Sequence, residues 1–319
     1  MKRAVTIVGG GPDLAADLFL PESASGPVPA VVTGSGFGGV KEMLLPVFAE
    51  ALAHAGIATL SIDYACFGAS AGEPRQQVDP ARQVDDLRRG LGYLGSLDGI
   101  DAARLGVWGP SMCGAHTLVL AGTDPRVRAA VSIIPFVNAP KDVNPRIIGA
   151  VIRDVVRRAF GGASRMIAVS GEPGDLAVMS TDGALEWISE VSSGAPLFRN
   201  EVTISSLLKV AAYRPMRQVG ARGIRIPLRT ILANDDTVTP AASARAELSK
   251  VSRNDVVAFP GTHFELFDAH LPEVVRLTVE WFTRHLLEAQ HARHEKEPRD
   301  VLSCGDAATA RAQPRAHPR

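Results

Sequence analysis

The sequence has little cysteine, no net charge and no long apolar run, and each shortage removes a class of protein. Its three cysteines, Cys66, Cys113 and Cys304, are odd in number and widely scattered. Neither a disulfide framework nor metal-ligand spacing can be built from them. Lys+Arg and Asp+Glu both number 34 among 319 residues. That balance gives no general electrostatic attraction to nucleic acid or to an anionic membrane. No apolar stretch reaches the roughly eighteen residues that a spanning helix needs. The opening, MKRAVTIVGG, has two basic residues, but its apolar run is short for a signal peptide and Gly11-Pro12-Asp13 follows it instead of a cleavage-like site. There are no internal repeats. A soluble, cytoplasmic protein is expected, with no nucleic-acid or membrane partner.

What is present is enough apolar residue, 46%, for one large core and an accessory region. Short β-branched runs alternate with amphipathic segments, the pattern of a mostly parallel sheet wrapped by helices. The runs are Ala30 to Thr33, Ile57 to Ile62, Arg104 to Trp108, Val127 to Ile134, Ile226 to Leu232 and Asp255 to Phe259. Val5 to Val8 and Leu14 to Leu20 read as an antiparallel hairpin at the sheet edge. Asp79-Pro80 supplies an N-cap and a first-turn proline, with Val84, Leu87, Leu91 and Leu94 on one face after it. Thr239-Pro240 is expected to open the segment to Leu248 in the same way. Pro272 opens a last helix, with Val274, Thr278, Trp281 and His285 at helical spacing.

Two regions break the alternation. Residues 136–222 are inserted between two core strands; Ile147 to Phe160 there is periodic and helical, whereas Ser170 to Leu197 is rich in Gly, Ser and Pro. An insertion at the C-terminal end of sheet strands sits over the ligand crevice, so this one is expected to be a lid. The core is then 1–135 and 223–289. Residues 290–319 have almost no apolar periodicity and are expected to be disordered.

The strongest chemical signal is Trp108-Gly109-Pro110-Ser111-Met112-Cys113-Gly114, joining a strand to a helix-like segment. A sharp strand-to-helix turn projects the serine hydroxyl and turns the next backbone N–H toward the substrate, and it demands small neighbours. The usual five-residue form is Gly-x-Ser-x-Gly, and Cys113 takes its last place. Downstream, Asp235 and Asp236 follow a strand, and Asp236 is favoured by its offset to Val238 and Pro240. His263 lies on the loop after the last strand. The chain order Ser111, Asp236, His263 is that of hydrolases built on such a turn. His54 and His285 read as half-buried packing residues, His116 as a packing or capping residue, and His270 as a helix-entrance residue. Two backbone N–H groups, of Phe37 in Thr33-Gly34-Ser35-Gly36-Phe37-Gly38-Gly39 and of Met112, are the expected oxyanion donors.

Three decoys fall away. The Gly-rich loop lacks the Gly-Lys-Ser/Thr ending of a phosphate loop. Val5-Thr6-Ile7-Val8-Gly9-Gly10-Gly11 starts like a dinucleotide fingerprint, but Leu14 stands at its sixth position and a strand-like alternation follows. The Cys113 thiol would point into the helix–sheet contact, away from substrate.

The chain resembles the α/β-hydrolase superfamily, especially a lidded esterase, thioesterase and acyltransferase branch of polyketide pathways. The carriers are Gly36-Phe37-Gly38-Gly39-Val40-Lys41-Glu42, Asp63-Tyr64 with Phe67-Gly68-Ala69-Ser70, Trp108-Gly109-Pro110-Ser111, Tyr213-Arg214-Pro215, Asp236-Thr237 and Pro260-Gly261-Thr262-His263-Phe264. The resemblance implies an α/β-hydrolase fold, a Ser111–Asp236–His263 triad and Phe37 and Met112 as oxyanion donors. Ser35 stands where many relatives have His.

The reading is a serine hydrolase that cleaves a small-molecule ester or thioester, free or carrier-bound, with no metal or organic cofactor. Large apolar groups of the insertion, Trp187, Leu197 and Phe198, are expected to line the substrate crevice. Acyl transfer and carboxylate elimination at the same site are the alternatives, a homodimer is compatible with the sequence, and a non-catalytic binding module fits it least.

Overall fold

The computed structural model describes residues 1–139 and 144–288. The tail expected at 290–319, residue 289 and Cys304 lie outside them. β1 (Lys2–Ile7) and β2 (Leu14–Phe19) form an antiparallel hairpin. Gly9, Gly10 and Gly11, all at positive φ, turn the chain between them, so the apparent dinucleotide fingerprint is a hairpin turn. The chain continues through β3 (Val28–Gly34), α1 (Leu45–His54), β4 (Ala58–Ile62), α2 (Pro80–Gly95), β5 (Ile100–Pro110), α3 (Ser111–Thr123) and β6 (Val127–Ile133). Between β6 and the next core strand lie α4 (Pro145–Ala159), β7 (Met166–Ser170), β8 (Ala177–Met179), α5 (Ala184–Val191), β9 (Val202–Thr203), α6 (Ile204–Ala212) and α7 (Pro215–Val219). The core resumes with β10 (Leu228–Ala233), α8 (Ala241–Leu248), β11 (Asn254–Phe259) and α9 (Leu271–Phe282).

The main sheet has the order β1-β2-β4-β3-β5-β6-β10-β11, and β8-β7-β9 make a second, small sheet. From β4 to β11 every pairing in the main sheet is parallel; β2 alone runs against its neighbours. The chain leaves β3 for β4 on one side and returns to β5 on the other. A crevice opens beyond the carboxyl ends of strands at such a switch point.

Side chains alternate across the pleat, and the alternation sorts the core into two layers. Val32, Leu60 and Val107 face α2 and α3, where Leu87, Leu91 and Leu118 are buried. Val31, Trp108 and Val131 face the other way, onto Phe48 and Leu52 of α1 and Val274 and Trp281 of α9. α2 starts as its sequence predicts: Asp79 accepts from the Arg82 N–H (3.4 Å) and Pro80 occupies the first turn.

Other local expectations need correction. α8 begins at Ala241 with no side-chain cap, because the Thr239 hydroxyl lies 2.8 Å from the Asp236 carboxylate. Ser170 to Leu197 is less irregular than its composition suggests and contains β8 and α5. His54 is exposed, its Nδ1 2.7 Å from the Glu50 carbonyl, whereas His285 is half-buried with its ring 4.3 Å from that of Trp281.

Arg229 locks the far side of the sheet. Its Nε and one terminal nitrogen donate to Asp255 Oδ2 at 2.8 and 2.6 Å, and its other nitrogen donates to the Leu277 carbonyl at 2.9 Å. The guanidinium also lies 4.6 Å from the Trp281 ring centre. β10, β11 and α9 are thereby tied at one buried point. We expect Arg229→Ala to cost about 2 kcal/mol through lost packing and hydrogen bonds. The roughly 3–5 kcal/mol of a fully buried broken pair does not apply, because Asp255 is 43% exposed and its carboxylate can be resolvated. Urea unfolding with an unchanged m-value would measure it.

Candidate active site

No loop separates β5 from α3; the strand ends at Pro110 and the helix begins at Ser111. The reversal is taken up by Ser111 itself, whose φ is 52°. A non-glycine residue there costs about 1–3 kcal/mol and persists only where its surroundings enforce it. The enforcement is visible. A Cβ on Gly109 would run into the Cys113 side chain, and one on Gly114 would lie 2.9 Å from the Ile133 carbonyl and 3.1 Å from that of Gly109. The Phe136 N–H donates to the Ser111 carbonyl at 3.1 Å, and the Ser132 hydroxyl to that of Gly114 at 2.9 Å. Cys113 is fully buried, and burial pushes its thiol up to about 11, so it stays protonated and inert.

Asp236 and His263 come together from the ends of β10 and β11. His263 Nδ1 is 2.8 Å from Asp236 Oδ2, and both residues are buried. Asp236 Oδ1 accepts from the N–H groups of Val238 (2.8 Å) and Thr239 (2.7 Å). The Thr239 hydroxyl sits between Asp236 Oδ2 and the Ile134 carbonyl, 3.0 Å away. The carboxylate is therefore fixed before it meets the imidazole. Asp235 stands apart from this pair; its exposed carboxylate accepts from the Gly261 N–H at 3.0 Å and holds the loop that carries His263. Thr239 is not visible as a site residue in the sequence, where it reads as the start of α8.

The loop after β3 lies against Ser111. A Cβ on Gly36 would be 3.6 Å from the serine Cβ. Met112 is in the first turn of α3, where N–H groups have no intrahelical acceptor. Among the described residues the Phe37 N–H has no protein acceptor either. Behind this loop is a buried charge cluster. Asp63 Oδ1 accepts from the Lys41 N–H (2.8 Å) and Oδ2 from the Ala69 N–H (3.0 Å). Lys41 Nζ bonds the Glu42 carboxylate and lies 3.7 Å from Asp17 and 3.9 Å from Asp63. Burial raises the Asp63 carboxyl to about 6, against the two N–H groups that hold it ionised.

Under the turn, His116 is fully buried and pressed down to about 3 by burial, hence neutral. The Tyr213 hydroxyl donates to its Nδ1 (2.8 Å), and its Nε2 donates to Gln83 Oε1 (3.0 Å). That contact gives the Tyr213-Arg214-Pro215 motif a physical role: it pins the end of α6 to α3. His270 flanks α9 and stacks on Phe259, 5.0 Å between ring centres.

Two cavities meet at Ser111. The smaller, about 50 Å³, is lined by Gly36, Phe37, Ser111, Trp187, Phe198, His263 and Phe264, among others. The larger, about 350 Å³, is lined by Ser111, Met112, Phe136, Ile147, Leu207 and Val210, among others. Trp187 thus comes beside Ser111, its ring 5.4 Å from Phe264 and 5.9 Å from Phe267. Leu197, expected in the crevice, is instead 48% exposed. Among the described residues no three His, Cys, Asp or Glu side chains are grouped to hold a metal ion, and no helix is long and apolar enough to cross a membrane.

A family model described as Hydrolase_4, serine aminopeptidase S33, matches residues 26–263. The quorum-quenching protein AidA of Acinetobacter baumannii is 29% identical over 80% of this chain and 86% of its own. The thiohydrolase aneE of Aspergillus aculeatus is 30% identical over 70% of this chain and 73% of its own. The structure of DcsB in complex with a substrate analogue superposes with a TM-score of 0.79 at 24% identity, over 90% of this chain and 99% of that one.

Asp63 makes stability pH-dependent in a defined direction. Its folded pKa, about 6, is above the ordinary 3.8, so the unfolded chain ionises first as pH rises. Stability from this group is complete below about pH 4 and lost as pH climbs through 6. Asp63→Asn removes the titration. The stability of the variant relative to the parent should therefore rise by up to about 3 kcal/mol between pH 4 and pH 7, measured by urea unfolding at both.

Proposed function

The chain belongs to the serine aminopeptidase S33 family and has the α/β-hydrolase fold, and from that premise we propose that it is a serine hydrolase cleaving a small-molecule ester or thioester. One observation carries the reading. The strained turn at Ser111 opens on the same cavity as His263, whose other ring nitrogen is held 2.8 Å from a buried, pre-bonded Asp236. Ser111 is the nucleophile, His263 the general base and then acid, and Asp236 the group that orients the imidazole and stabilises its charged form.

Ser111 Oγ forms a bond to the substrate carbonyl carbon while its proton passes to His263. The developing oxyanion is met by the N–H groups of Phe37 and Met112, each contributing roughly 3 kcal/mol to lowering the barrier. The leaving alcohol or thiol departs with the proton from His263, and water, deprotonated by the same imidazole, releases the acyl group. The thiohydrolase relative supports a thioester as readily as an ester. No cofactor takes part in this mechanism.

Residues 136–222 act as a lid over a core of 1–135 and 223–289, and Trp187 and Phe198 contact the substrate. Support comes from the cavities: Trp187, Phe198, Leu207 and Val210 of the insertion face Ser111, which the core supplies.

Ser111→Ala should lose labelling by a fluorophosphonate and reduce turnover of p-nitrophenyl butyrate by about 10⁴- to 10⁶-fold, because the triad works as a unit. Circular dichroism should be unchanged. Near-parental turnover by the folded variant would overturn the assignment.

A further inference from the structure

The two cavities beside Ser111 differ in size and in the residues that line them. We infer that the acyl chain occupies the larger cavity beside Met112 and that the leaving group occupies the smaller one beside His263. The inference rests on the proposed serine-hydrolase reading. Its basis is which residues each cavity touches. Ser111 and Phe37 line both; His263 lines only the smaller and Met112 only the larger.

When Ser111 Oγ bonds to the carbonyl carbon, that carbon has three other substituents. Its oxygen faces the Phe37 and Met112 N–H groups. The alcohol or thiol takes the proton from His263 as its bond to carbon breaks, so it must lie on the histidine side. The acyl carbon chain is left with the remaining direction, into the larger cavity.

Size and chemistry agree with this division. A water-sized group needs about 10–15 Å³ of such space, so about 50 Å³ takes a slender leaving group of a few atoms. About 350 Å³ is several times that space and is ample for an acyl chain of medium length. The walls of the larger cavity include Phe136, Ile147, Leu207 and Val210, and among the described residues no Asp, Glu, Lys or Arg lines it. The substrate class is therefore a medium-chain acyl ester or thioester with a compact leaving group. Val210, on α6, and Ile147, on α4, are specificity residues for the chain.

The experiment holds one half of the substrate constant while varying the other. With S-ethyl thioesters only the acyl chain changes; with butyryl thioesters of ethanethiol and of benzyl mercaptan only the leaving group does. Each methylene buried in an apolar wall contributes about fourfold to kcat/KM, so the parent should prefer octanoate to acetate by at least about a hundredfold. Val210→Trp should reduce the octanoate-to-acetate ratio of kcat/KM at least tenfold. Val210→Ala, the milder variant if the tryptophan fails to fold, should move the optimum to longer chains. Trp187→Ala should raise the benzyl-to-ethyl ratio while moving the acyl ratio less than the Val210 variants do.

A parent with no octanoate preference, or a Trp187→Ala effect mainly on acyl length, would overturn the division. Fluorophosphonate labelling of the parent separates the two levels of failure. Labelled Ser111 with acyl ratios indifferent to Val210 rejects only the division, whereas unlabelled Ser111 rejects the hydrolase reading and the division with it.

Discussion

Ser111 is held at a φ of 52° between a strand and a helix that share no linking residue. The turn is possible only because α3 can come down almost onto the sheet. Gly109 and Gly114 leave that space; Cys113 fills it at the first, and the carbonyls of Ile133 and Gly109 fill it at the second. A larger side chain at either position would have to displace backbone, which has no alternative rotamer to adopt. The close approach also brings the first-turn N–H groups of α3 beside the loop that follows β3. One steric condition thus fixes the projection of the hydroxyl and the position of its nearest backbone donors.

Two buried polar networks stabilise the walls around this joint. On one side Asp63 gathers the N–H groups of Lys41 and Ala69, with the Lys41 ammonium close by. On the other, His116 accepts from Tyr213 and donates to Gln83. Such networks contribute to stability only when their members are satisfied, and leave costly unpaired groups otherwise. Their cost is evident in the raised Asp63 carboxyl and the depressed His116 imidazole, both caused by burial. What they provide is a single arrangement of loops that would otherwise have several.

The insertion is tied to the core by the same kind of contact. The Gln76 amide donates to the carbonyls of Arg199 (3.3 Å) and Glu201 (3.0 Å), and the Val78 N–H donates to the Ser206 hydroxyl (2.8 Å). Together with Tyr213 on His116, these bonds fasten residues 199–213 at two places. α4 is half-submerged: Ile148 and Ile152 are exposed on it, Ala150 and Asp154 are buried, and Ile147 and Val151 pack against the core.

Much of this protein was determined by the sequence alone, because the relevant signals are local. The β-branched runs, the Asp79-Pro80 helix start and the small residues about Ser111 each depend on neighbours a few positions away. Local signals failed where a residue had two competing partners. Thr239 can cap a helix or serve Asp236, and only the fold brings the Ile134 carbonyl close enough to favour the second. α5 was hidden because its eight residues follow a Gly- and Ser-rich stretch, and Trp187 and Ile188 gain their helical conformation by packing against the core. Leu197 and Phe198 are adjacent and equally apolar, yet one is exposed and the other lines the cavity. The pairing of Asp236 with His263 across 27 positions, the polar networks and the division of space on either side of Ser111 were decided by tertiary structure. Each depends on the separation of groups far apart in the chain, and that separation is set by how the layers pack rather than by any periodicity along the sequence.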